Sequence, residues 1–319
     1  PTRRSSDLKS KTIAVVMGGP SAEEKISLTT GAAIAAALRE KGYTVREIRL
    51  IPHKFSEQVK ESGADVVVIA VHGLYGEDGR LQSALEMMGI PYTGSGVLAS
   101  AVSMNKLTAK RVFLGSGIPT PDYIFLHRRN RGHQDMMQQI RDKFSLPVVV
   151  KPVSQGSSLG VTIAREAADL QEALDLAFQY DEEVLVEEYV AGQETSVCMI
   201  RKPDGTVKVW PVVLIKPHAE WYDYNAKYST GGVDHLVPAP LPEHITRTLQ
   251  EISVAAYEAL GCSGVARTDC IVGEDGTCCV LEMNTVPGMT PTSLVPDAAR
   301  AEGTRFADLC EMILDSAHF

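Results

Sequence analysis

The sequence predicts an α/β protein: a parallel sheet covered by helices, followed by two α+β blocks. Three observations predict it. Strand and helix patterns alternate through the first block, the chain of 319 residues is long enough to divide into domains, and a strong hairpin signal lies near its carboxyl end. In chain order, Thr12 to Met17 is an apolar strand, Ser27 to Lys41 an Ala-rich helix, Thr44 to Leu50 a strand and Ala64 to Val71 a buried apolar strand. Functional residues of such sheets gather beyond the carboxyl ends of the strands. Gly18-Gly-Pro-Ser-Ala-Glu23 and His72-Gly-Leu-Tyr-Gly-Glu-Asp-Gly79 stand at those ends.

A second block opens near Asn105 with a helix to about Gly115, then strands at Pro147 to Lys151 and Val184 to Glu188 around a helix from Glu166 to Tyr180. The third has strands at Glu194 to Ile200 and Val207 to Ile215 and a helix from Pro242 to Leu260. The expected units are 11–104, which binds substrate, 105–189 and 190–319. Between the strands and the last helix, Lys216 to Pro240 reads as one long loop carrying Tyr222, Tyr224, Lys227 and Tyr228. Loops beyond about 12 to 15 residues inside compact domains often act as lids or binding segments, and a lid is expected here.

Hydrophobic residues make up 44% and charged residues 22%, as in ordinary soluble enzymes. The formal charge of -9 argues against nucleic acid or an anionic membrane as the main partner, since both favour a basic face. No apolar run reaches the length of a membrane span, and the first residues lack the apolar core of a secretory signal, so the expected compartment is the cytoplasm. Pro1 to Ser10 is polar, without an initiator Met, and is set aside from fold reasoning. The six cysteines show no metal-ligand spacing and read as buried thiols.

The hairpin carries the most chemistry. Gly273-Glu-Asp275-Gly276 joins two strand-like runs, and a turn centred on Asp275-Gly276 sets Asp269 opposite Glu282 and Arg267 opposite Asn284. Opposite residues, and residues two apart along a strand, share a face. Two carboxylates and an amide oxygen then converge beside one guanidinium. Oxygen-only ligands suit a hard cation such as magnesium, which commonly completes its shell with water and nucleotide phosphates. An acidic hairpin alone is ordinarily a solvated surface, so the remaining motifs matter.

Lys151-Pro-Val-Ser-Gln-Gly156-Ser157-Ser158-Leu-Gly160 places a lysine at a strand end before a Gly/Ser loop. Close backbone approach, hydroxyl donors and one positive charge suit phosphate binding, although the Walker A ending is missing. Glu187-Glu188-Tyr189-Val190 ends an apolar strand and Glu194 follows, an arrangement able to offer backbone groups to an adenine and a carboxylate to ribose hydroxyls. Gly18-Gly19 lacks the glycine spacing of a dinucleotide fingerprint. His72 is either a satisfied structural imidazole or a functional one at a strand end.

Together these segments, with Pro91-Tyr-Thr-Gly-Ser-Gly96, Met104-Asn105-Lys106, Tyr224-Asn-Ala-Lys-Tyr228 and Glu282-Met-Asn-Thr-Val-Pro-Gly-Met289, resemble the ATP-grasp superfamily and within it the D-alanine-D-alanine ligase family, from Thr12 to about Leu314. The resemblance implies an ATP-grasp fold behind an N-terminal parallel-sheet domain. It implies that Lys106 and Lys151, with Ser157 and Ser158 of the Gly/Ser loop, meet ATP phosphates. Glu187 and the Tyr189-Val190 segment would hold adenine, Glu194 ribose, and Lys227 the terminal phosphate. Asp269, Glu282 and Asn284 would hold two magnesium (or manganese) ions, with Glu282 shared. Glu23 would meet the ammonium of the first D-alanine, with Ser157 and Tyr228 in its hydrogen-bonded network and His72 nearby. Arg267 and the Gly288 amide would form the oxyanion site, and Ser293-Leu294 would bind the carboxylate of the second D-alanine. Asn105, Gln155 and Glu188 depart from residues common in the family, and the first two are given no catalytic role.

The implied activity is ATP-dependent synthesis of D-alanyl-D-alanine for peptidoglycan precursors, through an acyl phosphate. The implied partner is a second copy of the chain, since the family is commonly dimeric. Glu23 with Tyr228 matches the dipeptide-forming pattern rather than a D-lactate-using one. A D-serine-using ligase stays open on pocket size, and a regulatory homologue without chemistry is the rival from another class.

Overall fold

The computed structural model describes residues 8–130, 132–217 and 233–318. Its first sheet is parallel, in the order β2 (Thr44–Arg49), β1 (Thr12–Met17), β3 (Val66–Ile69). Five of the six β1 side chains are buried, because helices and loops cover both faces, which explains the unbroken apolar runs. Ile13, Val15, Met17, Val66 and Val68 face helix α1 (Glu24–Glu40). Ala14, Val16, Val67 and Ile69 face the opposite core, with Phe55 and Val59 of α2 (Phe55–Ser62) and Leu81 and Leu85 of α3 (Arg80–Met88). Helices α4 (Val97–Met104) and α5 (Lys106–Gly115) lead into the second block. Asn105 caps α5, its side chain accepting from the Thr108 amide at 2.8 Å, so Lys106 stands at the first helical position.

The central sheet is antiparallel, in the order β4 (Tyr123–His127), β7 (Glu183–Glu188), β5 (Val148–Pro152), β6 (Thr162–Ala164). Alternation divides its faces. Val148, Val150, Val184 and Val186 bury against α6 (His133–Lys143) and α7 (Asp169–Tyr180), which leaves Val149, Lys151 and Glu187 on the other face.

The third sheet runs β11 (Val233–Leu236), β10 (Val213–Pro217), β8 (Gly192–Arg201), β12 (Val265–Gly273), β13 (Cys278–Asn284), with β9 (Val207–Val209) paired to β8. Ala266, Cys270, Val280 and Met283 join α8 (Glu243–Ala259) in one core. The opposite face of β12 and β13 looks across a cleft toward the central sheet. Helices α9 (Leu294–Ala301) and α10 (Phe306–Asp315) close the chain. α10 packs on α1, with Lys41 bridging Asp308 at 2.8 Å and Glu311 at 2.7 Å, so the last helix shares the core of the first sheet.

Two expectations change. Val207 to Ile215 is not one strand but two, interrupted at Trp210-Pro211, where proline lacks the amide the ladder needs. Lys216 to Pro240 is not loop throughout: Lys216 pairs with Asp234 and Pro217 with Val233, so β10 and β11 leave and return side by side. Tyr222, Tyr224, Lys227 and Tyr228, and with them the expected lid, fall in 218–232, outside the described residues. All six cysteines are free, five of them buried.

Candidate active site

The pairing at the C-terminal hairpin matches the expected register: Asp269 lies opposite Glu282 and Arg267 opposite Asn284. The route to it differs. The Gly273 amide donates to the Thr277 carbonyl at 2.8 Å, which makes a three-residue loop of Glu274, Asp275 and Gly276 and pairs Val272 with Cys278 and Cys270 with Val280. A β-bulge between Cys270 and Asp269 then takes up one extra residue on β13, Leu281. Loop and bulge each displace the register by one residue in opposite senses. As a result Leu281 and Glu282, although consecutive, both line the cleft.

Asp269 is the hub of this face. It is 5% exposed, and a buried carboxylate needs donors. Arg267 supplies two, Nε to Oδ1 and Nη2 to Oδ2, each at 2.7 Å. Ser196, directly opposite on β8, donates to Oδ1 at 2.6 Å, and Asn284 Nδ2 donates to Oδ2 at 3.0 Å. Glu282 Oε2 lies 3.3 Å from the Lys106 ammonium, which also donates to the Gln155 carbonyl at 2.6 Å. No group of three or more His, Cys, Asp and Glu side chains is gathered for a metal among the described residues. Asp269, Glu282 and the Asn284 amide offer only oxygen to a cation, which fits magnesium or manganese, provided other oxygens such as phosphates complete the shell.

Across the cleft, Lys151 Nζ donates to Glu187 Oε2 at 2.6 Å. Behind that pair stands Lys110, a residue the motif reading passed over. It is 1% exposed on α5, its ammonium 3.3 Å from Glu187 Oε1 and donating to Thr120 Oγ1 at 2.6 Å and the Pro121 carbonyl at 2.8 Å. Burial opposes ionisation of Glu187, but Lys151 and Lys110 outweigh it and hold the carboxyl below its usual range. Burial lowers the proton affinity of Lys110, and the Glu187 charge only partly restores it. Lys106, Lys151, Ser158, Glu187, Tyr189, Val190, Glu194, Asp269 and Glu282 thus line one cleft. Its apolar walls were not anticipated: Val149, Val161, Ile271 and Leu281 provide the flat, dry surfaces that an aromatic base requires.

The Gly/Ser loop meets the first sheet. Ser157 Oγ hydrogen-bonds Glu23 Oε1, which joins two distant motifs. Ser157 and Ser158 both have left-handed backbones, φ 52° and 57°, a strained conformation for non-glycine residues that is typical of functional loops. A Cβ on Gly156 would come within 2.9 Å of Glu23 Oε2, so the carboxylate packs where a side chain is missing. His72 is not among the residues that line that cleft. It is 3% exposed, with Nδ1 2.9 Å from the Val286 carbonyl and Nε2 3.0 Å from Thr30 Oγ1, and so ties the end of β3 to the loop after β13. Burial lowers its proton affinity, yet the Glu77 carboxylate, 3.8 Å from Nδ1, and the charge of Glu23 win and raise it.

Ser293 precedes α9, and its Oγ accepts from the Thr290 amide at 3.1 Å. A Cβ on Gly288 would lie 3.0 Å from that oxygen, which places the Gly288 backbone against Ser293. The Leu294 side chain is buried in the core shared with the first sheet, so only its backbone can serve a ligand.

Residues 112–315 match the family described as D-ala D-ala ligase C-terminus, and residues 49–95 match D-ala D-ala ligase N-terminus. Over 312 residues the chain is 44% identical to a D-alanine--D-alanine ligase of Geotalea uraniireducens, covering 98% of this chain and 97% of that one. The D-alanine--D-alanine ligase of Bacillus anthracis, solved in complex with ATP, superposes with a TM-score of 0.83 at 35% identity over 96% of this chain and 97% of its own. A D-Ala:D-Ser ligase of Enterococcus faecalis gives 0.81 at 28% identity, over 95% and 98%. The two sheets enclosing the cleft are therefore an ATP-grasp, and the chain belongs to the D-alanine-D-alanine ligase family.

Proposed function

We propose that this protein uses ATP to join two D-alanine molecules into D-alanyl-D-alanine, through an acyl phosphate, for peptidoglycan precursors. The observation that carries the reading is the single face on which Asp269, Glu282, Arg267 and Asn284 meet, with Lys106 beside Glu282 and Lys151 across the cleft. A carboxylate is a poor acyl donor and an ammonium is no nucleophile. Transfer of the γ-phosphoryl group to the first carboxylate removes the first obstacle. Lys106 and Lys151 would neutralise the phosphates while the Ser157-Ser158 backbone approaches them closely, so catalysis is largely positioning and electrostatics. Asp269, Glu282 and Asn284 would hold two magnesium (or manganese) ions, which when bound supply further charge neutralisation.

Glu187, Tyr189 and Val190 would receive adenine between the apolar walls, and Glu194 the ribose. Glu23, fixed by Ser157, would hold the first D-alanine's ammonium. The second amine, once deprotonated, attacks the acyl carbon while Arg267 and the Gly288 amide stabilise the oxyanion, and collapse expels phosphate. Ser293 and the Leu294 amide would hold the second carboxylate at the amino end of α9. We assign 11–104 to the first substrate and 105–189 with 190–319 to the nucleotide, and take the working form to be a cytoplasmic homodimer.

Incubating the protein with ATP, magnesium and D-alanine, alone or with D-serine or D-lactate, and weighing the products tests this. D-Alanyl-D-alanine formed in step with ADP is the expected result. A mixed product in preference, or ADP release indifferent to D-alanine, would overturn it.

A further inference from the structure

We propose that His235 is a positioning residue for the acceptor subsite, acting through Asp297 and Arg300 on the loop between Gly288 and Ser293. The inference rests on the assignment of Ser293 and the Leu294 amide to the second carboxylate. His235 lies on β11, the edge strand of the third sheet, far in sequence from α9. Its Nδ1 is 2.7 Å from Asp297 Oδ2. The other Asp297 oxygen accepts from Arg300 Nη1 at 2.6 Å, and Arg300 Nη2 reaches back 2.8 Å to the Pro291 carbonyl. Three contacts thus run from the sheet edge to the loop that carries the acceptor groups.

The charge arrangement gives these contacts a purpose. A helix amino end attracts a carboxylate through its free amides and dipole. In α9 the third position is Pro296, without an amide, so Leu294 and Val295 are the donors left, and Asp297 follows at once with a charge of the wrong sign for a bound carboxylate. His235 and Arg300 each occupy one of its oxygens. Burial pushes the Asp297 carboxyl up, but the His235 and Arg300 hydrogen bonds prevail and hold it ionised. The His235 and Asp297 side chains are 15% and 17% exposed, enough shielding for the contact to act on its surroundings. The second ring nitrogen, Nε2, is buried with no hydrogen-bond partner among the described residues, a cost that a merely space-filling side chain would not carry.

The test compares His235→Leu, which removes the donor, with His235→Asn, whose amide can reproduce the Nδ1 bond. Rates are fitted against D-alanine and ATP concentration to separate the donor, acceptor and ATP Michaelis constants. The expected result is an acceptor constant raised about tenfold in His235→Leu, the size of a partly buried charge effect at a helix end. The donor and ATP constants should stay within about twofold, and His235→Asn should restore most of the loss. Asp297→Asn should make the second change at 235 silent, because the carboxylate that His235 engages is gone. An unchanged acceptor constant in His235→Leu overturns the inference, as does an equal shift in all three constants. Ser293→Ala separates the failures. If it raises the acceptor constant while His235→Leu does not, the relay is wrong; if it has no effect, the acceptor assignment itself falls.

Discussion

Arg267 has two tasks at once. Its guanidinium forks onto Asp269, and its face of the sheet is where the oxyanion of the proposed reaction would form. Arg267→Ala is expected to lower kcat by about 10²- to 10³-fold, the usual cost of a lost oxyanion donor, while Ser196 and Asn284 still bond Asp269 and keep the fold. Near-normal turnover would refute that role. His72 makes a prediction of a different kind. Its folded proton affinity is raised, so the stability it confers is complete below the unfolded value of about 6.5 and is lost as pH climbs through the folded value. The melting-temperature gap between the parent and His72→Gln should therefore be widest near pH 5.5 and narrow toward pH 8.5. A gap that widens with pH would contradict the assignment. Lys110 marks the limit of motif reading at this scale. Nothing in its sequence surroundings separates it from other helical lysines, and only the fold turns it inward to Glu187.

At the scale of elements, the hairpin was legible because Asp-Gly and flanking β-formers announce it, and its pairing at the site was read correctly. The loop length and the Leu281 bulge were not legible, because a bulge is a backbone adjustment with no side-chain code. Their displacements cancel, which is why a simpler register reached the same pairs. α5 shows the reverse: Asn105, a departure from the family pattern, works as a helix cap. Asn105→Ala should cost about 1 kcal/mol in urea unfolding, and Asn105→Asp should be nearly neutral, since aspartate caps equally well. A loss in both variants alike would mean that the amide serves something other than the cap.

At the scale of the molecule, alternation of strands and helices revealed the first sheet, and buried runs such as Val66 to Ile69 betrayed its two covered faces. What sequence could not supply was how the central and third sheets face each other across one cleft with the first sheet packed beside them. That depends on contacts between remote segments: Ser157 with Glu23, His72 with Val286, and Lys41 with Asp308 and Glu311. The apolar walls at Val149 and Ile271 form one cleft only because the central and third sheets face each other. No helix among the described residues is long and apolar enough to cross a membrane.

This cleft is proposed to activate a D-alanine carboxylate by phosphorylation, and an oxygen label puts that step to the most direct test. D-Alanine carrying ¹⁸O in its carboxylate is turned over with ATP and magnesium, and the released phosphate is weighed. If the carboxylate attacks phosphorus and the acyl carbon–oxygen bond later breaks, each phosphate released should carry one labelled oxygen. Phosphate without label, formed alongside dipeptide, would contradict the acyl phosphate and the assignment of the site that makes it.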